Sequence, residues 1–173
     1  MTLSLERINS AKASNFLISK KKIVLITGAE SGIGKSTTKV FLDNGYRVIG
    51  TCLKNNKNKK DIEGIEYHKI NITNNLDWEN LASYIKDKYK KIDVLVNSAG
   101  VRLSGNLETT SMNDWSYHLN NNVTGTFLSC KHILPFLKKA KNSSIINLAS
   151  INSVRGVKNM LAYATSKSAI ISF

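Results

Sequence analysis

Tyr163 and Lys167 stand four residues apart, and Ser150 lies thirteen positions before the tyrosine, at the end of an apolar run. On a helix that four-residue spacing stacks both side chains on one face, where an ammonium close to a phenol favours its ionised form. A free tyrosine titrates at about 10 and becomes a usable acid or base near neutrality only with such help. From a strand tip, the Ser150 hydroxyl could reach the same point in space. Tyrosine and lysine fall four apart in many ordinary helices, so the spacing gains meaning only if the chain upstream builds a dinucleotide site.

The elements needed for such a site are legible. Residues 23–27, IVLIT, form a continuous apolar run of the kind expected for a strand buried on both faces of a parallel sheet. Gly28, Gly32 and Gly34 come directly after it in TGAESGIG, and the segment passes into a helix with Ile33, Val40 and Phe41 at helical spacing and Gly45 as its stop. Strand, glycine turn and helix together make a phosphate cradle, because glycines let the backbone approach a pyrophosphate while helix amides and their dipole attract it. A second strand is expected at 47–51, a third at 65–70 and a fourth at 92–96, broken by the small residues of Asn97, Ser98, Ala99 and Gly100. A helix over 76–89 carries Leu76, Trp78, Leu81, Ile85 and Tyr89 as a packing stripe, with Asn75 as its N-cap. One long helix is expected over 111–139, with Trp115, Leu119, Val123, Phe127 and Leu128 on one side and Pro135 marking a bend or end. Asparagine is a poor mid-helix residue, so Asn120, Asn121 and Asn122 there need a reason. The fifth strand, 144–148, delivers Ala149 and Ser150. This alternation predicts an α/β, Rossmann-like, doubly wound parallel sheet with right-handed crossovers.

Composition bounds the function. At 173 residues, 42% hydrophobic and 21% charged, the chain has the make-up of one globular domain over 21–173, preceded by a flexible extension over 1–20. The 25 Lys+Arg against 12 Asp+Glu give a formal +13. The lysines are interleaved with asparagine and accompanied by no nucleic-acid motif, so they read as solvated faces, and no nucleic-acid partner is expected. No run approaches a membrane span or a secretory leader. Two cysteines, Cys52 and Cys130, make no disulfide framework, which points to a cytoplasmic protein. His68, His118 and His132 have no metal-ligand spacing, and no metal is expected.

With these pieces placed, the sequence resembles the short-chain dehydrogenase/reductase family. The likeness rests on TGAESGIG at 27–34, NSAG at 97–100, NNVTGTF at 121–127, and Ser150 with YATSK at 163–167, with Trp115 also at a family position. The resemblance implies strand order 3-2-1-4-5 and a catalytic tetrad of Asn122, Ser150, Tyr163 and Lys167. Tyr163 would exchange a proton with the oxygen of an alcohol or ketone as a hydride moves to or from a nicotinamide. Ser150 would hold that oxygen, Lys167 would lower the tyrosine's pKa and hold the nicotinamide ribose, and Asn122 would position a proton-relaying water. The cofactor would lie along Gly28, Ser31, Gly32, Ile33, Gly34, Asn71, Ile72, Asn97, Ala99 and Gly100, reaching Tyr163 and Lys167.

Departures from the pattern refine this. The second-strand tip, Thr51, Cys52, Leu53 and Lys54, lacks the carboxylate that often holds the adenosine ribose; Lys54 or Lys57 could attract a 2′-phosphate, so NADP is favoured over NAD. Ser31 stands where NADP-dependent members often place a basic residue, Ser98 where a second asparagine is common, and Asn71 where an aspartate often meets adenine. The segments VIGT at 48–51 and 71–73 resemble the 3-oxoacyl-acyl-carrier-protein reductases of the family. Family members commonly continue past the position of Phe173 with two more strands and the substrate loop. A sheet without them would expose an unpaired edge and would compromise the homo-oligomer usual in the family. The alternative to an active oxidoreductase is therefore a fragment that binds the dinucleotide without turnover; a third reading is a basic protein that binds polyanions.

Overall fold

Five short runs pair side by side in one parallel sheet: β1 (Ile23–Thr27), β2 (Arg47–Cys52), β3 (Ile65–Lys69), β4 (Val94–Asn97) and β5 (Ser144–Asn147), the central β1 and β4 being the most apolar. The structure, a computed structural model, describes residues 21–53 and 62–173. The extension expected over 1–20, and Lys54 and Lys57, lie outside the described residues. Strand order is β3-β2-β1-β4-β5, as the sequence implied. The order reverses between β1 and β4, where the register sets Thr27 beside Asn97 and opens a crevice at the carboxyl ends of the strands.

Period-two alternation along β1 divides the core. Ile23 and Leu25 face one side with Trp78, Ile85, Ile133 and Phe136; Val24 and Ile26 face the other with Val48, Val96 and the partly buried Phe41 and Leu42. Helix α1 (Gly32–Asp43) supplies the second layer; α2 (Asn75–Lys88) and α4 (Gly125–Leu137) supply the first. Gly45 ends α1 with φ +78°, as Gly45 N donates to Leu42 O at 2.9 Å and Tyr46 N to Phe41 O at 3.0 Å. The Phe41 and Tyr46 rings meet edge-on at 4.9 Å across that stop.

Several local expectations need correction. Asn74, not Asn75, caps α2, its side chain accepting from Leu76 N at 2.9 Å. The Asn75 amide reaches Glu79 and His132 instead. On α1, Ile33 and Val40 are exposed, and only the Phe41 side of the helix meets the sheet. The long helix expected over 111–139 is three pieces: α3 (Met112–His118), a π-helical segment (Leu119–Thr124) and α4, which runs through Pro135 to Leu137. The π turn rotates α4 relative to α3, so Phe127 faces outward while Leu128 stays buried. A 3-10 turn (Ile151–Ser153) and α5 (Leu161–Ser172) complete the described chain.

Candidate active site

The cradle is built from close backbone contacts. Gly28 has φ +64°, and a Cβ there would lie 3.0 Å from Ala99 Cα; a Cβ on Gly34 would lie 2.2 Å from Gly28 O. Turn, helix and the loop after β4 are therefore packed closer than any side chain permits. Thr27 Oγ1 fastens them by accepting from both Ser98 N and Ala99 N at 3.0 Å. Ser31 is the N-cap of α1 but makes no side-chain cap bond, leaving the first amides of a 12-residue helix without a side-chain acceptor. Such a terminus suits a pyrophosphate. The crevice above it has a volume of about 450 Å³ and is lined from the turn by Gly28, Glu30, Ser31, Gly32 and Ile33. Its other walls are Thr51, Cys52 and Leu53 from β2, Ile70, Asn71 and Ile72 after β3, residues 98–101 after β4, and Asn121. These features fit a bound dinucleotide.

Two of the tetrad positions, Asn122 and Lys167, reach the crevice wall at Gly100. A Cβ on Gly100 would meet Asn122 Oδ1 at 3.0 Å and Lys167 Nζ at 3.5 Å, so the crevice wall, the π segment and α5 converge at that glycine. Asn122 is fully buried. Its Oδ1 accepts from Val101 N at 2.8 Å, and its Nδ2 donates to Val101 O at 3.0 Å and Ser166 Oγ at 2.8 Å. The mid-helix asparagine thus has its reason: it clamps the loop after β4 to α5. Lys167 is buried and donates to Leu148 O at 2.7 Å, and burial pushes its ammonium below the ordinary 10.5. Ser150 caps the 3-10 turn, accepting from Asn152 N at 3.2 Å and leaving its own proton to donate. That turn packs on α5, where Ser168 Oγ donates to Ser153 O at 2.9 Å. Tyr163 is half-buried, its hydroxyl has no partner among the described residues, and its ring meets His118 edge-on at 6.4 Å.

Of the expected cofactor residues, Gly34, Asn97, Tyr163 and Lys167 are not among the residues lining the crevice. Asn97 is buried beneath the crevice, its amide donating to Asn147 Oδ1 at 2.8 Å and its oxygen accepting from Ser129. Gly34 stands behind the turn, where it allows close packing. Residues without a role in the sequence reading emerge as supports. His118, nearly inaccessible, sets Nδ1 2.7 Å from Asp114 O and accepts from Leu103 N at 2.9 Å through Nε2, a neutral ring that holds the loop after β4. That loop runs on to Gly105, which accepts from Leu161 N at 3.1 Å at the start of α5. Ser166 supports Asn122, and Glu30 faces the crevice. Local patterning carries no signal for His118 or Ser166, since their partners are distant in sequence. Glu30 was visible inside the glycine motif.

A family model described as short chain dehydrogenase matches residues 22–173. The chain belongs to that family. It is 34% identical over 149 residues to a 3-ketodihydrosphingosine reductase of Bacteroides thetaiotaomicron, covering 86% of this chain and 54% of the relative. It is 35% identical over 157 residues to a 3-oxoacyl-acyl-carrier-protein reductase of Thermotoga maritima, covering 87% and 64%. The solved structure of ElxO with NADP bound superposes with a TM-score of 0.81 at 33% identity, covering 88% of this chain and 64% of that one. The short-chain dehydrogenase thus spans between about half and two thirds of these relatives' lengths.

Among the described residues no group of three or more His, Cys, Asp or Glu could hold a metal. None of their helices is long and apolar enough to cross a membrane. The Cys52 thiol donates to His68 O at 3.7 Å, and the Cys130 sulfur accepts from Asn97 Nδ2 at 3.4 Å.

Proposed function

We propose that this short-chain dehydrogenase is an NAD(P)-dependent oxidoreductase acting on the CH–OH group of an alcohol or the matching ketone, with Tyr163 as its acid/base. The observation that carries this reading is the convergence of Asn122 and Lys167 on Gly100 in the crevice wall, beside a glycine cradle with uncapped helix amides. When bound, the nicotinamide supplies or accepts the hydride. Gly28, Ser31, Gly32, Ile33, Asn71, Ile72, Ala99 and Gly100 would hold the dinucleotide, with Gly34 and Asn97 supporting the wall from beneath. Tyr163, its hydroxyl without a partner among the described residues, gives its proton to the substrate oxygen in reduction and takes it back in oxidation. Ser150 donates to the same oxygen and steadies the charge developing there. Lys167, held by Leu148 O, sets a cation one helical turn from Tyr163 and reaches toward the nicotinamide ribose. Asn122 fixes the loop and α5 in register, and the water relay that the family resemblance assigns to it belongs to the same reading. NADP-bound ElxO supports a nicotinamide dinucleotide; the choice between NADP and NAD falls to the adenosine end.

The decisive measurement is oxidation of NADH and NADPH with a panel of ketones, run beside Tyr163→Phe. Loss of the phenolic proton should lower turnover by roughly 10²–10⁴-fold while cofactor affinity holds. Equal rates from the two proteins would overturn the assignment of Tyr163. Calorimetric binding of the dinucleotide with no turnover by the wild-type chain would favour the binding-only alternative.

A further inference from the structure

The turn that cradles the pyrophosphate carries a carboxylate, Glu30, on the crevice wall. It is the only acidic side chain among the described residues lining that crevice, and no Lys or Arg among them lines it either. No described hydrogen bond or ion pair engages Glu30, although ion pairs elsewhere in the molecule hold Glu66 and Asp93. Its position along the crevice is fixed by its neighbour, since Ala29 N donates to Thr51 O at 3.1 Å and so ties the turn to the end of β2. Thr51, Cys52 and Leu53, the tip where an adenosine ribose is usually read, share the wall with it.

A free carboxylate beside that tip has two consequences. It can accept hydrogen bonds from vicinal ribose hydroxyls, and it repels a phosphate esterified at the 2′ position. We infer that Glu30 is the specificity-determining residue of the adenosine end, replacing the acid missing from the β2 tip and selecting NAD over NADP. This rests on the dinucleotide reading above and assigns that site its cofactor.

The test is equilibrium binding of NADH and NADPH to the 173-residue chain, measured by calorimetry and reduced-nicotinamide fluorescence without substrate. Wild type should bind NADH more tightly. Glu30→Gln, which keeps the shape and removes the charge, should raise the NADPH-to-NADH affinity ratio about tenfold, and Glu30→Arg should raise it further. Circular dichroism and melting temperature establish that each variant is folded. A ratio unchanged across the three folded proteins overturns the inference. So does a wild-type preference for NADPH, the outcome that attraction by Lys54 or Lys57 would produce. Failure of folded wild type to bind either dinucleotide overturns the proposed function itself, and this inference with it.

Discussion

At Gly34 one methyl group separates a closed cradle from an open one. The atom that an added Cβ would meet at 2.2 Å is Gly28 O, a backbone oxygen in a turn already fixed by φ +64° and by Ala99. Neither partner can rotate away. Gly34→Ala should therefore cost about 3 kcal/mol of stability, read as a lowered urea midpoint at unchanged slope, and should weaken dinucleotide binding in any folded protein that remains. Gly32 is different: it has φ +50° but nothing within 4 Å of the missing Cβ, so only conformational strain opposes a side chain there. Sequence reading treats the three glycines of the motif alike. Only their neighbours in space separate them into a close-approach site, a turn and a helix start.

At the scale of elements, the π segment decides the geometry of the site. An extra residue in the turn around Asn122 breaks the 3.6-residue period, which is why a periodic reading joins α3 and α4 into one helix and puts Phe127 on the packed side. The buried amide of Asn122 then joins three elements through Val101 and Ser166. Asn122→Ala would leave the Val101 N–H and C=O and the Ser166 hydroxyl each short of a partner. A loss of about 3 kcal/mol is expected in denaturant titrations, with α5 amides exchanging faster in hydrogen-exchange measurements. Trp115, Asn122 and the YATSK segment were all legible as motifs. That Asn122 acts as a clamp through its side chain was not, because Val101 and Ser166 lie 21 and 44 residues away.

For the whole molecule, one contribution to stability in acid lies at the outer edge of the sheet. Burial alone would raise the Glu66 carboxyl of β3, but hydrogen bonds from Lys88, Tyr84, Tyr89 and His68 outweigh it and hold the group at about 2 against an ordinary 4.5. Lys88 Nζ and Tyr89 Oη both reach Glu66 Oε2, at 2.7 and 2.6 Å, and so lash the end of α2 to β3. A carboxyl depressed in the folded state contributes stability that is complete above 4.5 and is lost as pH falls toward about 2. The melting temperature of wild type should fall across that window more steeply than that of Glu66→Gln, and the two pH profiles should run closer to parallel above it. An identical acid slope in both proteins would show that Glu66 does not carry the effect.

What the sequence alone determined is whatever depends on near neighbours along the chain: alternation of strand and helix, the glycine turn between β1 and α1, and the Tyr163 to Lys167 spacing; the sheet order came from the family resemblance that these motifs carry. Long-range meetings were left to the tertiary structure. It set Gly100 against Asn122 and Lys167, sank Asn97 beneath the crevice, and put Glu30 and the tip of β2 on the lining of one crevice. The reason is physical: hydrogen bonding and apolar periodicity are written in steps of two to four residues, whereas the site forms where four chain segments, remote in sequence, are brought together by burial of the faces beneath them.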